Sequence, residues 1–243
     1  MKTSGGSDEA KRRAGESAVE AVTDGDVVGL GTGSTAAHAI RRLGDRVDGG
    51  LDVRGVPTSF ASRELAVEHG IPCLDLPDAV GPDAPGIDVA IDGADQVATG
   101  EGSADPAAGG ALIKGGGAAH AREKLVDAAA DRFLVVADPS KESPRLDRSV
   151  PVEVLPAGRT AVAEALRELG GEPALRRADR KDGPVVTDNG NLVVDCAFGA
   201  VDAPASLSAS LSAVPGVVEH GLFVGLADEV HVGTDAGVRV DSV

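Results

Sequence analysis

Three short motifs concentrate reactive side chains within one stretch: DGAD at residues 92–95, KGGG at residues 114–117 and Arg-Glu-Lys at residues 122–124. Together they supply two carboxylates, an ammonium, a run of bare backbone amides and a further carboxylate. Such a set can bind an anionic sugar and move a proton along its carbon chain without a metal or a redox cofactor. An earlier glycine-rich turn, GLGTGSTA at residues 29–36, offers a second cradle for an anion.

Each motif has a plainer reading beside the chemical one. A strand that enters a glycine-rich turn and then a helix presents unpaired amides at the positive end of the helix dipole, which favours phosphate. Thr32, Ser34 and Thr35 add hydroxyls around Gly33. The spacing is G-x-G-x-G, no acidic residue closes a second strand at the dinucleotide position, and the P-loop lysine is missing. The plainer reading is a tight turn whose Ser and Thr cap a helix.

Asp92 and Asp95 follow an apolar run, so they should lie at the carboxyl end of a buried strand, where open α/β sheets bind ligands. Gly93 and Ala94 leave room for a ligand beside the backbone. Two neighbouring carboxylates repel, which raises at least one proton affinity and suits acid–base work. An Asp cap in an ordinary turn would need none of this.

Lys114 beside Gly115, Gly116 and Gly117 suits an oxyanion developing on a substrate. A flexible linker is the alternative, and the apolar Ala111, Leu112 and Ile113 just before it argue against one. Glu123 sits three positions before Val126, so it can border the apolar face of a helix, where partial desolvation would tune it as a base. Otherwise it belongs to a solvated Arg122-Glu123-Lys124 surface. Lys141, in the sequence DPSK at residues 138–141, is either a phosphate or hydroxyl contact or an exposed loop lysine.

These residues need a scaffold of alternating strands and helices. Helices are expected at 9–22, 36–43, 61–69 and 118–130, and strands at 27–30, 51–56, 87–91 and 133–137, with a further apolar segment at 71–76. That alternation predicts a doubly wound, mostly parallel, Rossmann-like sheet. After Pro151 the rhythm changes. Strands at 152–155, 174–177, 185–187, 192–197 and 217–224, with helices at 160–169 and 205–213, predict a smaller ferredoxin-like α+β domain, with a hairpin at Asp188-Asn189-Gly190-Asn191. Strands at 229–232 and 237–240 should return to the first domain. The expected division is therefore 1–150 with 229–243 as the Rossmann-like catalytic domain and 151–228 as the ferredoxin-like one.

The 243 residues suffice for this plan, and no apolar run approaches the length of a membrane span. The polar N-terminus does not read as a secretory signal, so a soluble, cytoplasmic protein is expected. A formal charge of −16 excludes nucleic acid and anionic membrane as partners. The acid-rich composition, poor in lysine and aromatics, reads as adaptation to high salt, with drift in a GC-rich genome as the alternative. Cys73 and Cys196 lie far apart, and the five histidines form no ligand spacing, so neither a metal site nor a disulfide is expected.

With these residues in hand, the chain resembles the type A ribose-5-phosphate isomerases. The likeness runs through GLGTGSTA, PTSFASRELA (57–66), IDGADQV (91–97), IKGGGAAHAREK (113–124), ADPSK (137–141), PVEVLP (151–156), VTDNGN (186–191) and VPGVVEHGLF (214–223). It implies cofactor-free interconversion of D-ribose 5-phosphate and D-ribulose 5-phosphate through an enediol, in the pentose phosphate pathway. It implies Glu123 as the base between C2 and C1, and Asp92 and Asp95 as the pair that assists ring opening and binds hydroxyls. Lys114 with Gly115 to Gly117, Thr32 to Thr35, and Lys141 match substrate-binding positions. A homodimer or homotetramer is implied too. Two departures stand out: Gln96 where the family usually has Glu, and a polar stretch near residues 180–182 that reads as a small insertion. A sugar-phosphate sensor lacks its DNA-binding module here, and the motif order disfavours a deaminase or CoA transferase.

Overall fold

The computed structural model describes residues 6–100, 109–180 and 182–243. Its first elements are α1 (Asp8–Val19), β1 (Val27–Leu30), α2 (Ser34–Asp48), β2 (Arg54–Pro57), α3 (Phe60–Glu68), α4 (Leu76–Ala79) and β3 (Ile87–Gly93). The strands β4 (Gln96–Ala98) and β5 (Leu112–Ile113), the helix α5 (His120–Ala129), and the strands β6 (Ala130–Ala137), β7 (Glu142–Ser143) and β8 (Val150–Val154) follow. The rest comprises α6 (Arg159–Glu168), β9 (Glu172–Leu175), β10 (Leu192–Ala197), α7 (Pro204–Ser212), β11 (Val217–His220), β12 (Leu222–Phe223), β13 (Glu229–Thr234) and β14 (Gly237–Ser242).

The chain forms two compact units. One, the parallel-sheet unit, contains residues 6–94, 122–141 and 226–243 of the described chain. Its sheet has the order β14-β13-β6-β3-β1-β2, parallel throughout except for the hairpin partner β14. Val28 and Leu30 of β1 pack with Val89 and Ile91 of β3 against Ala14, Ala18, Ile40 and Leu43 from α1 and α2. On the opposite face Val27, Val56 and Ile87 pack with Val126 of α5. Strands buried on both faces need apolar residues at successive positions, and β1 is buried at all four. The strand order reverses between β1 and β3, so the carboxyl ends of these two strands form the switch point of the sheet.

The other, the split-βαβ unit, contains residues 95–121 and 142–225, less those not described. Its antiparallel sheet has the order β11-β8-β10-β9, with α6 and α7 contributing Val162, Leu166 and Leu211 to a core shared with Val152, Val154 and Val194. This is the ferredoxin-like order expected from the sequence rhythm. A second small sheet, β12-β5-β4-β7, belongs to the same unit. The unit boundaries therefore differ from the expected division: residues 95–121 and 142–150 group with the ferredoxin-like sheet. They do so because strands of two or three residues, β4, β5 and β7, pair with one another and with β12.

Other expectations are corrected locally. The expected strand at 217–224 is two strands in two sheets, broken at Gly221. There the N–H donates to Pro151 O at 2.7 Å and the carbonyl accepts from Lys114 N–H at 2.9 Å. The expected strand at 185–187 is reduced to a bridge between Val186 and Leu192, closed by the Thr187–Asn191 turn. The β2 strand starts at Arg54, later than expected, because Gly25 N–H takes Asp52 O and Asp24 takes Asp52 N–H in a loop. Residue 181, within the expected insertion, lies outside the described residues.

Candidate active site

In the parallel-sheet unit the glycine-rich turn and the end of β3 are joined through one carboxylate. Asp92 is fully buried, and its Oδ1 accepts N–H groups from Thr32 at 2.9 Å and Gly93 at 2.6 Å. Gly31 makes that approach possible, since a Cβ there would fall 2.1 Å from Asp92 Oδ1 and 2.5 Å from its Cα. Thr32 Oγ1 lies 2.8 Å from the hydroxyls of both Thr58 and Ser59, and Thr58 donates to Leu30 O at 3.0 Å. Thr58 and Ser59 were not singled out for the site from sequence; the signal available was a hydroxyl pair directly after β2, within PTSF.

Gly33 is the N-cap of α2 at φ 125°, and no side chain caps the helix. A glycine is needed at that left-handed angle. The exposed Ser34 and the buried Thr35 open the first turn of a 15-residue helix whose dipole favours an anion at this end.

Glu123 lies in the first turn of α5 and is only 3% exposed. The helix is drawn onto the sheet by Val126, which fits over Gly29; a Cβ at residue 29 would lie 2.7 Å from Val126 Cγ1. Burying a valine contributes about 1.5–3 kcal/mol. The same packing removes Glu123 from bulk water, so the solvated-surface reading does not hold. Arg122 turns instead to the ring of Phe60, 5.3 Å from its centroid. One turn after Glu123, Asp127 is a second buried carboxylate that sequence reasoning missed; its place at i+4 from Glu123 was the available signal. Lys141 closes the short turn Pro139–Lys141 and is buried, which removes the exposed-loop reading. Asp138 before it accepts Ser140 N–H at 2.9 Å.

In the split-βαβ unit Asp95 and the KGGG turn are bound together. Asp95 N–H donates to Ile113 O at 2.8 Å, and Gly116 N–H donates to Asp95 Oδ2 at 2.6 Å. A side chain at Gly116 would collide with that carboxylate at 2.6 Å. Gly115 has φ 100°, and Ala118 has φ 62°, the one positive-φ non-glycine among the described residues. Backbone strain of this kind gathers at functional sites. Gly117 is exposed at the tip of the turn. Lys114 is 1% exposed, with Nζ 5.3 Å from the centre of the Phe223 ring, a geometry that attracts an ammonium. Gln96 is buried and faces Asp147: its amide N–H₂ donates to Asp147 Oδ1 at 2.6 Å, and its carbonyl accepts N–H groups from Asp147 and Arg148. A glutamate there would set two carboxylates against each other, so the departure from the family pattern has a local structural reason.

Among the described residues no group of three or more His, Cys, Asp or Glu side chains is arranged to hold a metal ion, and no helix is long and apolar enough to cross a membrane.

A doubly wound sheet with acid-bearing turns at its switch point, joined to a ferredoxin-like unit, is the architecture of an isomerase class with solved members. The structure of ribose 5-phosphate isomerase A from Methanocaldococcus jannaschii matches with a TM-score of 0.87 and 42% identity, covering 96% of this chain and 98% of that one. A D-ribose-5-phosphate isomerase solved in complex with phospho-erythronic acid matches with a TM-score of 0.89 and 39% identity, covering 98% and 100%. The ribose-5-phosphate isomerase A of Halorubrum lacusprofundi is 80% identical over 240 residues, 99% of both chains, and that of Haloarcula marismortui 65% identical over 236 residues, 97% of this chain and 96% of that one. Residues 54–237 fit the family model described as ribose 5-phosphate isomerase A (phosphoriboisomerase A). The chain belongs to that family. Its acid-rich composition agrees with the halophilic sources of these two relatives.

Proposed function

We propose that the chain interconverts D-ribose 5-phosphate and D-ribulose 5-phosphate with Glu123 as the proton-transferring base. The observation that carries the reading is the burial of this carboxylate at the start of α5. A base must accept a proton from carbon near neutrality, and removal from water favours its protonated form.

The phosphate end of the sugar binds the turn into α2, through amides of Gly33, Ser34 and Thr35 and hydroxyls of Ser34 and Thr35, with Thr32 holding the turn through Asp92 and Ser59 and Lys141 as the cation. Asp92 and Asp95 bind sugar hydroxyls and assist opening of the ring, beside the backbone of Gly93 and Ala94. On the open aldose, Glu123 takes the proton from C2 and the electron pair forms the C1–C2 double bond, leaving charge on O1. The ammonium of Lys114 and the amides of Gly115 and Gly117 stabilise that charge, while Gly116 N–H holds Asp95. The proton on Glu123 is then delivered to C1, while the O2 proton passes to O1, and the ketose results. C2 is oxidised as C1 is reduced within the one molecule, so the reaction needs no redox cofactor. We further propose that the protein works in the cytoplasm as a homodimer or homotetramer, as the resemblance implies.

The test is incubation of the purified protein with D-ribose 5-phosphate in D₂O, followed by NMR. The ketose should accumulate with deuterium at C1 when the base exchanges with solvent. Failure to form the ketose in low and high salt alike would reject the assignment.

A further inference from the structure

Arg176 follows β9 and Asp195 sits on the neighbouring β10, where it pairs with Ala174. They are thus diagonal neighbours on one face of the sheet. The guanidinium grips the carboxylate with two donors, Nε to Oδ2 at 2.8 Å and Nη2 to Oδ1. Its remaining arm, Nη1, donates to Gly115 O at 2.8 Å and Gly116 O at 3.3 Å. The backbone of Arg176 is fixed as well, with its N–H on Val193 O and its carbonyl taking Val185 N–H. Its side chain is 10% exposed.

The Gly115 carbonyl and the Gly116 N–H belong to one planar trans peptide, so they point in opposite directions. Arg176 holds the carbonyl edge, and Asp95 accepts from the N–H edge at 2.6 Å. Glycines on both sides of that peptide add no side-chain restraint on its orientation, and φ at Gly115 is left-handed. Within the turn the Gly115 carbonyl also accepts Ala118 N–H at 2.9 Å, and Arg176, just after β9, adds a charged donor to it. The geometry points to Arg176, clamped by Asp195, as a positioning residue: together with the Ala118 N–H it holds the peptide that orients both the Asp95 carboxylate and the amides after Lys114. Neither residue belongs to the reaction scheme above, and the inference rests on the reading of the KGGG turn and Asp95 as substrate-binding.

Four variants test it: Arg176→Ala, Arg176→Lys, Asp195→Asn and, as a control on the underlying reading, Lys114→Ala. In Arg176→Ala, kcat should fall about 10- to 100-fold, the size of effect a small misplacement produces. Competitive inhibition by inorganic phosphate, which reports the α2 turn, should stay within about twofold. Arg176→Lys should not restore kcat, because an ammonium cannot span both carboxylate oxygens and a carbonyl in a planar fork. Asp195→Asn should show a milder loss of the same kind, and added guanidinium should recover part of the turnover of Arg176→Ala. Unchanged kcat in Arg176→Ala alongside an impaired Lys114→Ala overturns the positioning role alone. Normal turnover in Lys114→Ala overturns the reading of the turn and the inference with it. A parallel loss of kcat and phosphate affinity marks general loosening and also overturns it.

Discussion

Thr32 and Asp92 are joined by a 2.9 Å hydrogen bond from main-chain N–H to carboxylate, across the point where the strand order of the sheet reverses. The turn after β1 and the end of β3 are therefore one structure. A group assigned to hydroxyl binding also holds the shape of the turn assigned to phosphate binding.

Replacing Asp92 should separate these contributions. Asp92→Asn keeps an oxygen for both N–H donors, so thermal stability should change little while kcat/KM falls by about 10²-fold. Asp92→Ala leaves buried donors unsatisfied and should lose about 1–3 kcal/mol of stability as well. Urea titration beside steady-state kinetics reads both. Equal kinetic and stability losses in the two variants would show that the carboxylate is structural only.

His231 provides a pH-dependent contribution to stability in the same unit. Its Nδ1 lies 2.9 Å from Ser17 Oγ and its Nε2 3.2 Å from Glu229 Oε2, tying β13 to α1. Burial holds the imidazole below its ordinary value of 6.5, against the opposing pull of the Glu229 hydrogen bond. As pH falls, the unfolded chain binds this proton before the folded one, so the contribution is complete above about 6.5 and is lost below it. His231→Gln should therefore show a shallower fall of Tm than the parent between about pH 7 and pH 5. Identical slopes would contradict this.

The charge of −16 predicts a salt requirement for the fold. Raising KCl from about 0.1 M to about 1 M shortens the screening length from about 10 Å to about 3 Å and weakens carboxylate self-repulsion. Tm should rise across that range. A Tm that falls with added KCl would leave the composition to genomic drift.

Much of the scaffold was legible because burial dictates residue type. The run at Val27–Leu30 lies within a sheet covered on both faces, and its apolar continuity says so, while the Ile87–Ile91 run keeps that character apart from the exposed Asp88. The β-α-β-β-α-β rhythm after Pro151 gave the ferredoxin-like order for the same reason. Elements too short to have a period were invisible. Leu112–Ile113 and Glu142–Ser143 are strands only through their partners, and Gly221 breaks a strand because a Cβ there would meet Lys114 O at 2.2 Å. Among the proposed site residues, the burial of Asp92, Lys114 and Glu123 was legible because each sits beside glycine or an apolar face. Arg176 was not, since its partners Asp195 and Gly115 lie 19 and 61 residues away and meet it only through topology.

The most direct test of the account is Glu123→Gln, an isosteric change that removes the base and little else. Binding of D-ribose 5-phosphate, measured by calorimetry, should persist while turnover falls by at least about 10²- to 10⁴-fold. Turnover close to that of the parent would show that another group moves the proton.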